Sequence, residues 1–147
     1  MAKPDSVLLI GGTDELAQSI SDSALPPVTC WRVNSVEEAK QETDRGYMPD
    51  ICILDMQTLD SRGAYRGLDV RGFYSGVLII LVGPDTVHEG AEAVRAGAGD
   101  DFFLKDEMIG KNIRYLYMHA EERRRLANRV FTLGNKIDEL NYRLGAL

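Results

Sequence analysis

Five apolar runs recur along the chain, and stretches of helical period separate them. Ser6 to Ile10 (SVLLI) comes first and runs into Gly11-Gly12, which predicts a strand and a tight turn. The others are Val28 to Val33 (VTCWRV), Ile51 to Asp55 (ICILD), Val77 to Val82 (VLIILV) and Asp101 to Lys105 (DFFLK). The third, entered from Pro49, and the fourth are almost unbroken apolar runs, as expected of strands buried on both faces. Between the runs the period lengthens. Thr13 is placed as an N-cap, with Asp14 and Glu15 at the positive end of the helix dipole. Leu16, Ile20 and Leu25 predict a buried stripe on that helix, which runs to about Ala24 before Pro26-Pro27. Ser35-x-x-Glu38 is a capping-box pattern opening a polar helix through about Arg45. A short helical segment follows to about Phe73, then a helix from Val87 to Ala96 closed by Gly97. From about Asp106 the pattern is helical to near the end.

Strands alternating with helices predict an α/β fold with a doubly wound parallel sheet and helices on both faces. A flavodoxin-like order, 2-1-3-4-5, sets the ends of the first and third strands side by side at the switch point. Gly11-Gly12 and Asp55 then share one crevice beyond the carboxyl ends of the strands. Val82 and Lys105 stand on its other side. As a bare strand end, Asp55 reads equally well as a cap on the next turn.

At 147 residues the chain is long enough for one domain with a proper core. A net charge of −6 argues against non-specific binding to nucleic acid or an anionic membrane. No apolar run approaches the roughly 20 residues of a membrane span, and the N-terminal run is too short for a secretory signal. Cys30 and Cys52 lie in strand-like runs and read as reduced, buried and structural, which suits a cytoplasmic protein. Two histidines, His88 and His119, give no basis for a His-based metal site or a Ser-His triad. No nucleophile-base pair stands out, so the chain is not read as an enzyme.

In this order the motifs resemble the receiver domain of two-component response regulators, over about residues 5 to 120. The resemblance rests on the strand ending at Asp55, on Gly63, on Ala96-Gly97-Ala98 followed by Asp100-Asp101-Phe102, and on Lys105. It implies that Asp55 accepts a phosphoryl group from a histidine kinase or phosphotransfer protein. It further implies that Mg²⁺ neutralises the transferred group and that Lys105 pairs with its oxygens. A Ser or Thr ending the fourth strand and an aromatic on the fifth, here Phe102, would carry the conformational switch.

The sequence departs from that pattern at the chemistry. Gly11-Gly12 stands where the family has its Mg²⁺-binding acidic pair, and Mg²⁺ requires hard oxygen ligands. Asp14 or Glu15 could reach in from the first helical turn, joining Asp55 as metal ligands; their other reading is as helix N-terminal charges. Val82 replaces the switch hydroxyl, Thr86 reads as a cap on the fourth helix, Thr58-Leu59 replaces Met-Pro, and Asp106 replaces the usual proline. The pattern is that of an atypical receiver, a pseudo-receiver, with weak or absent phosphorylation. Two alternatives stand beside it. One is a working phospho-acceptor that uses Asp14 or Glu15 for Mg²⁺. The other is a flavodoxin-like protein that binds an anion or small ligand on the backbone N–H groups of the Gly11-Gly12-Thr13 turn.

The last segment has its own pattern. Leu126, Val130, Leu133, Ile137, Leu140, Leu144 and Leu147 alternate spacings of four and three, with Leu at every d and Val, Ile and Leu at a. Such a seam favours a parallel two-stranded coiled coil. Its other reading is an amphipathic helix lying back on the domain. The chain therefore divides into a receiver-like domain, 1–120, and a dimerising linker helix, 121–147. Such a helix would join a downstream output module, as in a fragment of a longer regulator, or belong to a small stand-alone dimeric adaptor.

Overall fold

In a computed structural model, which describes residues 5–58, 66–109 and 111–145, the five apolar runs form one parallel sheet. Its strands are β1 (Ser6–Ile10), β2 (Thr29–Val33), β3 (Ile51–Asp55), β4 (Val77–Val82) and β5 (Asp101–Leu104), in the order β2-β1-β3-β4-β5. The helices are α1 (Asp14–Asp22), α2 (Val36–Asp44), α3 (Arg66–Arg71), α4 (Val87–Arg95), α5 (Lys105–Ile109) and α6 (Ile113–Gly145). This is the flavodoxin-like topology read from the sequence. Gly63, Leu59 and Leu147, named above, lie outside the described residues.

Strand alternation sorts the core onto two faces. Val7, Leu9, Ile51, Ile53, Ile79 and Leu81 meet Leu16 and Ile20 of α1 and Ile113, Leu116 and Ala120 of α6. Leu8, Ile10, Cys52, Leu54 and Leu78 meet Val36 and Ala39 of α2, Val70 of α3, and Tyr74. Ile80 and Val82 pack with Ala93 of α4 and with Ala98. Each large apolar side chain so buried contributes about 1.5–3 kcal/mol. At the opposite end of the sheet from Asp55, the Asp50 carboxylate accepts from Asp5 N (2.9 Å), Ser6 N and Ser6 Oγ (both 3.1 Å) and ties β1 to β3.

Several boundaries differ from the sequence reading. Leu25 is exposed because α1 ends at Asp22, where Ser23 Oγ donates to Ile20 O; Ala17 and Ala24 take the buried places. Cys30 is only half-buried, since β2 is an edge strand, whereas Cys52 is buried in the sheet interior. The last ladder pair of the sheet is Val82 with Leu104, so Lys105 does not belong to β5 but opens α5. The continuous helix expected from Asp106 is two helices. Asn112 Oδ1 accepts from Arg114 N at 2.9 Å, and Ser23 Oγ accepts from Ile113 N at 3.0 Å; these bonds start α6 afresh.

At 33 residues, α6 is about 50 Å long at 1.5 Å rise per residue. Ala120 is its last buried residue among those whose burial is described, and the helix passes the 120–121 boundary unbroken. Among the described residues no helix is long and apolar enough to cross a membrane.

Candidate functional site: the Asp55 crevice

Asp55 is the final residue of β3 and is 0% exposed. Lys105 reaches in from the first position of α5, with Nζ 2.7 Å from Asp55 Oδ2. Gln57 N, at the turn after β3, donates to Asp55 Oδ1 at 3.1 Å. A carboxylate in the interior is tolerable only when paired and hydrogen-bonded, and these contacts supply both conditions. The Lys105 side chain is 23% exposed, so the pair keeps some contact with solvent on the lysine side.

The opposite wall is the glycine turn. Gly11 and Gly12 have φ of +82° and +73°. A side chain in that left-handed region costs about 1–2 kcal/mol. A Cβ on Gly12 would stand 3.1 Å from both Leu9 Cδ2 and Leu16 Cδ2 and 3.4 Å from Asp55 Oδ2. Both glycines thus follow a backbone path that strains a side chain, and at Gly12 the side chain is crowded as well.

Neither acidic neighbour makes good the loss. Asp14 is 88% exposed and binds Arg32 Nε of β2 at 2.8 Å. Glu15 is exposed on the surface of α1. Among the described residues no three His, Cys, Asp or Glu side chains converge as metal ligands. With an ammonium on Asp55 Oδ2 and no second carboxylate beside it among the described residues, these residues do not fit Mg²⁺. Asp14 is a helix N-terminal charge held by Arg32.

The switch positions are apolar and packed. Val82 is fully buried, and a Cβ on Gly90 of α4 would come within 2.5 Å of Val82 Cγ1. Phe102 is half-buried in the same cluster. Thr86 stands at the N-cap position of α4, as expected, but its side chain makes no bond to the helix. Its Oγ accepts from Gly83 N at 2.9 Å and closes the turn after β4. In the glycine turn Gly11 N donates to Val33 O at 2.8 Å and is not open to an anion, and Thr13 Oγ accepts from Leu16 N at 3.1 Å.

Sequence reasoning missed three polar arrangements. Gln57 holds Asp55 and fills the space beside Gly83. Buried Arg66 pairs with Glu37 of α2 and, at 2.9 Å, with Asp69. Arg71 pairs with Asp100 at 2.8 Å, while Leu78 N donates to the same Asp100 oxygen. Of these, only Asp100 lies within a stretch that the resemblance marked out.

No family model matches the sequence, and no curated protein matches it. Solved structures do resemble it. A two-component response regulator from Clostridium difficile superposes with a TM-score of 0.61 at 18% identity, over 84% of this chain and 98% of the other. Most of the other similar structures are response-regulator receiver domains. The chain has the receiver fold. An adenylate cyclase from Rhodopirellula baltica reaches a TM-score of 0.65 at 17% identity, over 90% of this chain and 98% of that one. A fusion carrying the trimeric coiled coil of yeast Spc42 reaches 0.56 at 16% identity, over 95% and 96%. In that fold Asp55 ends β3, Phe102 lies in β5 and Lys105 opens α5 directly after it, while Gly11 and Gly12 follow β1 and Val82 ends β4.

Proposed function

We propose that this chain is a non-enzymatic signalling module of the response-regulator kind, in which Asp55 is held by Lys105 and is not a Mg²⁺-dependent phospho-acceptor. The observation that carries this reading is the composition of the crevice. The buried carboxylate already has an ammonium 2.7 Å away, and the positions that should supply metal ligands are glycines in left-handed backbone. A histidine kinase or phosphotransfer protein is then a docking partner of the receiver-like body rather than a phosphoryl donor to Asp55.

The output runs through α6. Leu126, Val130, Leu133, Ile137, Leu140 and Leu144 are between 50% and 68% exposed along one continuous helix, and nothing described in the chain covers them. A second copy in parallel register would bury that seam, with 1–120 as the body and 121–147 as the dimerising and linking helix to a downstream output module. The coiled-coil fusion among the similar structures supports an oligomerising role for this helix. The test is incubation of the purified protein with acetyl phosphate and Mg²⁺, read by intact mass against Asp55→Asn, with sedimentation velocity on the same sample.

A further inference from the structure

A second concave site lies at the other end of the sheet. It is a cleft of about 600 Å³ between the C-terminal ends of α3 and α4, the loop into β5, and α6 where that helix leaves the body. Arg71, Arg95, Arg123 and Arg124 line it, against Asp100 as its one carboxylate. In a chain with 17 basic and 23 acidic residues, this is a local inversion of charge sign.

The arginines are committed to different degrees. Arg71 is fixed by Asp100 at 2.8 Å and by Gly76 O at 2.6 Å. Asp100 is also held by Leu78 N, so the one acid is already satisfied. The ion pair of Arg95 with Glu92 (3.0 Å) is exposed and easily exchanged, whereas Arg123, itself half-exposed, reaches the buried carboxylate of Asp101 at 3.3 Å with part of its guanidinium. Arg124 makes no ion pair among the described residues. Tyr74, only 3% exposed, also lines the cleft, and its hydroxyl has no partner among the described residues. Guanidinium groups from three elements around one cleft match the fork geometry of phosphate oxygens. The volume is that of a small-molecule site.

We infer that this cleft binds a phosphate-bearing small molecule of about nucleotide size. Such a ligand contacts the body through Arg71 and Arg95 and the root of α6 through Arg123, Arg124 and Asn128. It therefore fastens the output helix to the body without involving Asp55. The inference is independent of whether Asp55 is phosphorylated, and a phosphorylatable Asp55 leaves it standing.

The experiment is calorimetric titration of the full chain with pyrophosphate, with adenosine diphosphate and with adenosine. Saturable binding of the two phosphate probes but not of adenosine is expected. Arg95→Gln and Arg124→Gln should each weaken it roughly tenfold or more, the size of one lost charged hydrogen bond. Arg124→Lys should weaken it less. Arg45→Gln makes the same charge change at the exposed end of α2 and should leave binding intact. Arg95 is a surface residue, so its variant tests binding without risk to the fold. If neither phosphate probe binds at millimolar concentration, or if binding survives both glutamine variants, the cleft is not this site. Pyrophosphate binding alone makes the ligand a compact phosphate; binding of the diphosphate nucleotide ten or more times tighter makes it a nucleotide.

Discussion

Replacing Lys105 by Met should cost about 3 kcal/mol of stability at neutral pH. The substitution keeps the aliphatic stem but removes an ammonium 2.7 Å from a carboxylate with no exposed surface. Breaking a buried pair by removing one partner costs about 3–5 kcal/mol, because the remaining charge stays in low dielectric. The low end applies because Lys105 keeps 23% exposure and is already part-solvated. In a chain of this size, about 3 kcal/mol corresponds to a fall in Tm of roughly 10 °C. Asp55→Asn should cost less, about 1 kcal/mol, since the freed ammonium can turn out to water. The double variant should then lie about 2 kcal/mol closer to wild type than the sum of the singles. Urea unfolding followed by circular dichroism reads all three, with the m-value unchanged. A Lys105→Met variant within 0.5 kcal/mol of wild type, or a coupling below 0.5 kcal/mol, would refute the pairing on which the reading of the crevice rests.

Other outcomes follow from the same structure. Gly12→Asp should destabilise the protein by more than about 1 kcal/mol, because φ is +73° and Leu9 and Leu16 crowd the Cβ; thermal melting checks this, and the variant should gain no Mg²⁺-dependent labelling. Ile137→Asp should convert a dimer to a monomer in sedimentation velocity and leave the melting of the body unchanged, since the residue is exposed on α6 beyond the body. A trimer in the unmodified protein would contradict the two-stranded assignment of the seam. Burial pushes the Cys30 and Cys52 thiols up to about 12, so their thiolate fraction at pH 8 is on the order of 10⁻⁴. Iodoacetamide should therefore label both thiols slowly in the native protein and rapidly in urea.

The sheet was legible because its signal is dense. In β3 and β4 nearly every position is apolar, and a doubly covered parallel strand has no other sequence. Chain order then placed Asp55 and the glycine turn on the same rim, where Gly12 faces the carboxylate. What could not be read depends on where side chains point. Asp14 sits one turn from the crevice, but Arg32 on the neighbouring edge strand draws it outward. Lys105 looked like a strand residue because DFFLK is apolar up to its last position, yet the ladder stops at Leu104. The Gly11 amide looked available to a ligand until its bond to Val33 O was seen. The break before α6 rests on Asn112 and on Ser23, a residue 90 positions from its Ile113 partner, which no local pattern records. The arginine cleft is of the same kind: its four cations come from three separated segments and meet only in the fold.

The central claim, that Asp55 is held rather than phosphorylated, is tested most directly by intact mass spectrometry of the folded protein after incubation with acetyl phosphate and Mg²⁺. The account predicts an unchanged mass for both wild type and Asp55→Asn. A gain of one phosphoryl group that requires Mg²⁺ and disappears in Asp55→Asn would contradict it.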